Sequence, residues 1–457
     1  MALPLAAGLV LRLMMLCKLF SVNGDTYIYG DLAKNLLLHG RYALSTADGG
    51  LHPTLIRLPG YPLFLAACFR LFGIENYFAV ACVQIALDLA GCLLLAEFAR
   101  RAAPSAHRHT AALATLWLAA LCPFTASYAV NPLAETTTLF VLALVMYTAI
   151  RFRERPSWRY SLCFTAAVAL AALLRPDGTL AALAFAPALF IGLPKNAISL
   201  RKLARMAAVC VVLGLMPFAA WTVRNWRVFH VFQPLAPRLA TDPGESPNLG
   251  YEEWVKSWCL DFRSTYEIYW NVPGDKLDVS ALPTRAFDSP QQYAETVALA
   301  DDYNSHGMEI TPAIDARFRH LAEERRAAHP LRTLVWLPLG RLADMWLRPR
   351  VENLDIDLDW WVYANHRDET RFAWFYVALN AFYILLGIAG LWMRPRMWGA
   401  LAAYLALRSA LLLTIAAPEA RYTLECFPML FTAGGIVLAG LLARVYLLKP
   451  KAPLGSG

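Results

Sequence analysis

NGDTYIYGDLAKNLLLHGRYAL (residues 23–44) and, after a short polar stretch, IRLPGYP (residues 56–62) form an ionisable segment between two hydrophobic runs. The segment gathers carboxylates (Asp25, Asp31), cations (Lys34, Arg57) and tyrosines (Tyr27, Tyr29, Tyr61) at what the flanking runs make one edge of a membrane. A span that ends by presenting an acid to water can do chemistry on a lipid-borne substrate, because the lipid stays in the bilayer while its head group meets the acid. The stretch reads as an active-site loop, and the chain around it as a membrane protein.

Composition agrees. Of 457 residues, 58% are hydrophobic and 17% charged, and mean hydropathy is +0.42, which is far from a soluble domain and defines an all-α polytopic membrane protein. The net charge of +8 comes from short basic clusters between apolar runs, as membrane topology requires, so it does not indicate a nucleic-acid partner. Eight of the nine cysteines sit in apolar runs, and no disulfide framework or metal knuckle is visible.

With a span of about 20 residues as template, crossings are expected near 2–22, 75–99, 110–128, 133–150, 159–174, 179–193, 206–226, 372–393, 397–416 and 422–447. The first run has no cleavage site and reads as a retained span. Basic clusters at Arg100-Arg101, Arg151/Arg153/Arg155, Lys195 to Arg205, Arg394/Arg396 and Lys449/Lys451 all fall on one side if the N-terminus is cytoplasmic. The organisation expected is a transmembrane catalytic module over 1–226 with its first outer loop at 23–74. An extracytoplasmic insert over 227–371, C-terminal helices over 372–450 and a 451–457 tail resembling a cloning remnant follow. Leu331–Leu347 carries Arg332, Pro338, Arg341 and Asp344 and reads as an interfacial helix rather than a crossing. Within the insert, Thr311-Pro312 starts a helix with Ile314, Phe318 and Leu321 on the apolar face and Arg317, Glu324 and Arg325 opposite.

Asp25, Tyr29, Ala33, Gly40-Arg41-Tyr42, then Arg57-x-Pro59-Gly60-Tyr61-Pro62 and Leu71-Phe72-Gly73 resemble the first extracytoplasmic loop of the GT-C membrane glycosyltransferases. The closest subgroup is that of lipid A aminoarabinose transferases and protein O-mannosyltransferases. The resemblance implies transfer of a monosaccharide from a polyprenyl-phosphate-linked donor to an acceptor hydroxyl on a glycolipid, glycan or protein, with inversion, at the outer face of a bacterial inner membrane. It implies Asp25 as the base, Glu135 as its partner at the start of a crossing, and Arg175 in Leu174-Arg-Pro-Asp-Gly at the donor phosphate. Arg224 before Asn225-Trp226, and Arg421-Tyr422 in the last outer turn, match further motifs.

Chemistry supports these roles. A phosphate is already a good leaving group and needs cations rather than an acid, which points to Arg57, Arg175, Arg421 and, in reserve, Lys34. The acceptor hydroxyl must lose a proton, for which a carboxylate is suited. Tyr29, Tyr61, Arg224 and Tyr422 are expected to contact substrate. The ordinary alternatives are that Asp25 caps the helix beginning near Thr26, that Glu135 complements a helix dipole, and that Arg175 snorkels or pairs with Asp177. Thr26 and Ile56 stand where relatives carry acids, so a divalent ion would have to rely on Asp25, Asp31, His52 or Glu135. Two other functions fit the composition. A transporter or flippase of a lipid-linked sugar would show charges at mid-span, whereas the ionisable groups here are expected at the outer edge. A non-catalytic assembly partner would use the insert to bind protein.

Overall fold

The structure, a computed structural model, describes residues 1–191, 198–354, 356–364 and 366–448. Lys195, Lys449, Lys451 and the 451–457 tail lie outside the described residues. The chain forms two compact units: Met1–Pro243 with Phe382–Leu407 and the chain from Leu424 onward, and Gly244–Ala381 with Arg408–Thr423.

Within the described residues, each expected crossing is helical over most of its range, and positions 192–193 of the one expected at 179–193 lie outside the described residues. The first unit opens with α1 (Ala2–Leu19), α2 (Asp25–His39) and α3 (Gly60–Phe72), followed by α4 (Tyr77–Ala102), α5 (Arg108–Ala120), α6 (Pro123–Ala129), α7 (Ala134–Glu154), α8 (Trp158–Leu174), α9 (Thr179–Phe190) and α10 (Leu200–Phe229). Among the described residues six helices are long and apolar enough to cross a bilayer: α1, α4, α7, α10, Arg367–Trp392 and Ala420–Arg444. The α5–α6 pair meets the same test as one span bent by 58°. Its bend falls where Pro123, at the first position of α6, cannot donate the hydrogen bond that would continue α5. The remaining three, α8, α9 and Trp398–Leu412, have 17, 12 and 15 residues. At about 1.5 Å per residue they fall short of a hydrocarbon core of about 30 Å, which sequence hydropathy alone does not reveal.

Inside the first unit, Arg12 of α1 is fully buried and pairs with Asp88 of α4 through its Nε at 2.6 Å. Its Nη1 donates to Gly8 O and to Ala120 O at the end of α5. The expectation that ionisable groups stay at the outer edge is therefore corrected, because Asp88 lies within a run whose mean hydropathy hides it. The pair is closed on itself and staples three helices. Removing one partner strands a buried charge, whereas replacing both by apolar groups is close to neutral. Asp88→Leu is expected to lower the thermal midpoint in detergent by several degrees, and Arg12→Met combined with Asp88→Leu to recover most of it. A stable double variant that lost sugar transfer would give the pair a functional role instead.

The second unit has its own core, in which Tyr251, Trp254, Trp258, Tyr303 and Phe318 pack together. The helix expected at 311 runs Pro312–Ala328, with the Thr311 side chain accepting from Ile314 N, and Ile314, Phe318 and Leu321 are buried. Arg325, expected on the polar face, is 1% exposed. It donates to Ser257, Gln292 and the Ala286 and Arg285 carbonyls, and burial pushes its pKa down to about 10. In 331–347 a wide turn, Arg332–Trp336, leads into helix Leu337–Leu347. Leu331, Leu334 and Trp336 are exposed while Arg341 is buried against the Lys256 and Cys259 carbonyls. This segment is not among the candidate spans of the described residues.

Candidate active site

Asp25 opens α2 without capping it. Gly24 is the N-cap residue, at φ +48°, and no side-chain capping bond forms. The Asp25 carboxylate instead accepts from Arg57 Nη2 at 2.8 Å. Two devices bring Arg57 there. Tyr42 O–H donates to the Arg57 carbonyl, and Gly60 lets the start of α3 approach the end of α8 so closely that a Cβ would sit 2.5 Å from Leu173 O. The second device also brings Arg57's loop to the helix that ends at Arg175.

Arg175 leaves α8 with extended backbone, φ −146° and ψ 138°, because the following Pro176 disfavours helix at the residue before it. Its guanidinium reaches Glu135, in the first turn of α7, at 3.3 Å. It also reaches Asp177 at 3.5 Å and Glu425 at 3.2 Å.

Between these two clusters stand the tyrosines. Tyr29 meets Tyr61 edge to face at 5.0 Å, with the Arg57 guanidinium 5.8 Å from the Tyr29 ring centre. Tyr61 O–H donates to Gln84 at 2.7 Å, and Gln84 donates on to Asn131 O at 2.7 Å, in the loop before α7. Thr26 O–H donates to Pro132 O of the same loop. Burial raises the Tyr29 hydroxyl, and Arg57 offsets part of that while Asp25 and Glu135 add to it. Burial likewise holds Tyr61 well above the ordinary phenol range. Both phenols stay neutral at physiological pH.

The structure thus gathers Asp25, Arg57, Tyr29, Tyr61, Glu135 and Arg175. Lys34 is engaged elsewhere, with Glu75 at 3.0 Å and Asp31 at 3.4 Å. Arg224 lies over the rings of Tyr42, Trp221 and Phe229 and donates to Tyr42 O and Thr54 O, so it pins the loop between α2 and α3 to α10. Arg421 and Tyr422 belong to the second unit, where both meet Glu419. The acids named for a metal do not converge. Asp25 and Glu135 face arginines, Asp31 accepts from Ser45 N and Oγ, and His52 lies 3.7 Å from Asp242. Among the described residues no group of three metal-ligating side chains includes Asp25, Asp31 or Glu135.

Glu425 was not singled out by its sequence context, nor were Gln84 and Tyr404, whose O–H donates to Glu425 at 3.2 Å. The signal available was an acid inside an apolar crossing, which is a functional candidate by position alone.

Residues 52–221 match the family model for dolichyl-phosphate-mannose-protein mannosyltransferases. No curated protein sequence matches the chain. Among solved structures, the oligosaccharyltransferase AglB of Archaeoglobus fulgidus, in complex with an inhibitory peptide and a dolichol-phosphate, is similar with a TM-score of 0.52. Identity is 11%, over 99% of this chain and 52% of that one, so the chain spans about half the length of that enzyme. ArnT from Cupriavidus metallidurans, bound to undecaprenyl phosphate, is 15% identical over 96% of this chain and 76% of its own, with a TM-score of 0.39. The chain shares the fold of that oligosaccharyltransferase.

Proposed function

We propose that the protein is a glycosyltransferase that moves a monosaccharide from a polyprenyl-phosphate-linked donor to an acceptor hydroxyl, with inversion at the anomeric carbon, at the outer face of the membrane. The observation that carries this is the pairing of Asp25 with Arg57 beside Glu135 with Arg175, with Tyr29 and the buried Tyr61 next to them, where the spans meet the first outer loop. Arg57 and Arg175 supply cations for the phosphate that departs, which is where charge develops. Asp25 takes the acceptor proton as the new C–O bond forms and the C–O bond to phosphate breaks. Glu135 orients the acceptor.

A lipid-linked donor also suits the cavity of about 550 Å³ between α8, α9 and α10, lined by Phe164, Val168, Ala172, Leu189, Met206 and Phe218 among others. Its wall is almost wholly apolar, as an isoprenoid tail requires. The acceptor class, whether glycolipid, glycan or protein, is set by groups outside this constellation. Purified protein given a polyprenyl-phosphate sugar and candidate acceptors is expected to release polyprenyl phosphate and form the glycoside. Failure with every such donor would remove the reading.

Sidedness gives a separate prediction. Cysteines introduced at Ser246 and Ser305 are expected to react with an impermeant thiol reagent applied outside intact cells, and ones at Ser157 and Ser199 only after lysis. The reverse pattern would put Asp25 in the cytoplasm and make a nucleotide sugar the appropriate donor.

A further inference from the structure

We infer that Glu425, steadied by Tyr404, is a positioning residue for the donor site: it grips the Nε edge of Arg175 and so sets the direction in which that guanidinium faces. The inference rests on the donor-phosphate role proposed for Arg175. It extends the site into the last two apolar helices of the chain, well beyond residues 52–221 that match the family model.

Arg175 Nε lies 3.2 Å from Glu425 Oε1, and its Nη1 lies 3.3 Å from Glu135 Oε1. Glu425 is 2% exposed and comes from the tight turn Ala420–Cys426 that leads into helix Phe427–Leu448. Its second oxygen, Oε2, accepts from Tyr404 O–H at 3.2 Å. Tyr404 is itself fully buried, on helix Trp398–Leu412. The carboxylate is thus hydrogen-bonded through one oxygen to Tyr404 and ion-paired through the other with Arg175, which limits its rotation. A guanidinium is planar, so holding its Nε edge fixes where its outer nitrogens point.

A carboxylate beside Arg175 also competes with an incoming phosphate. Removing the Glu425 charge would relieve that competition. It would also free the guanidinium to settle onto Glu135 and Asp177, which remain 3.3 and 3.5 Å away. Neutralisation of Arg175 therefore persists after the change while its aim is lost, so donor binding weakens.

The test uses the full chain in lipid nanodiscs, with undecaprenyl phosphate as the binding probe and donor KM and kcat measured alongside. Glu425→Gln is expected to weaken probe binding and raise donor KM about tenfold, the low end of what one close charge pair contributes. It should leave kcat at saturating donor and the thermal midpoint close to wild type. Tyr404→Phe, which alters no charge and tests the same brace if Glu425→Gln fails to fold, should raise KM about threefold, as loss of a neutral hydrogen bond does. Glu425→Asp should recover part of the loss. Unchanged or tighter probe binding in Glu425→Gln and Tyr404→Phe, with Arg175→Ala still abolishing binding, would overturn the positioning role. A fall in thermal midpoint without a KM change would overturn it too, in favour of a purely structural one. Wild-type probe binding by Arg175→Ala would instead show that the donor-phosphate role of Arg175 is wrong, and the inference would fall with it.

Discussion

Asp25→Asn is expected to lower the transfer rate by about 10²–10⁴-fold, the usual cost of losing a general base, while the purified protein keeps its thermal midpoint. The amide has the shape of the carboxylate and can still accept from Arg57 Nη2, 2.8 Å away in the native protein, but it cannot take up a proton. The start of α2 does not depend on this side chain. Gly24 supplies the N-cap position without a side-chain bond, and Thr26 ties the first turn to Pro132 O. What α2 loses is the interaction of one exposed-edge charge with its dipole, worth about 0.3–1 kcal/mol. The assay is single-turnover transfer from a polyprenyl-phosphate sugar, with Glu135→Gln alongside. Near-native turnover in Asp25→Asn would end its role as base. If Glu135→Gln alone were inactive, the base would have to be reassigned to Glu135.

How much of this was legible beforehand differs from residue to residue, for physical reasons. The apolar runs and their order could be read because hydropathy over about 20 residues is a property of composition. Their lengths could not, since Pro123 and the Arg175-Pro176 break act on backbone geometry within an apolar run. Asp25 and Arg57 could be linked because both sit in one short polar loop. Glu425 could not be linked to Arg175, because 250 residues separate them and only tertiary packing brings a buried acid of the last turn to the end of α8. Asp88 and Arg325 show the same blindness in another form. Each looks like an isolated charge in its own helix, and each is buried only because a partner from elsewhere in the chain satisfies it. Arg224 was legible as the cation of an Arg-Asn-Trp motif. That its donors go to the Tyr42 and Thr54 carbonyls, holding the loop that presents Arg57, is a property of the fold.

Arg57→Ala is expected to reduce kcat/KM by about 10²–10³-fold, as removal of a preorganised donor from a site of developing negative charge does. Arg57 is well placed for this and poorly placed to be a stability element. Its pair with Asp25 is about a quarter exposed on both sides, so its contribution to folding is small. Pro59 and Gly60 hold its backbone at the entry to α3, with the Tyr42 hydroxyl on its carbonyl, so little conformational freedom is lost when a phosphate arrives. The guanidinium can keep one nitrogen on Asp25 while others meet the phosphate, which places base and leaving group at different edges of one rigid plane. Arg57→Lys should therefore restore only part of the activity, because a single ammonium on a flexible stem cannot hold both partners in that geometry. A structural anchor to lipid phosphates would behave differently: the lysine variant would be fully active and the alanine variant would insert poorly. Donor affinity and turnover both unchanged in a properly inserted Arg57→Ala protein would take Arg57 out of the site. The phosphate would then rest on Arg175, with Arg421 as the next cation to test.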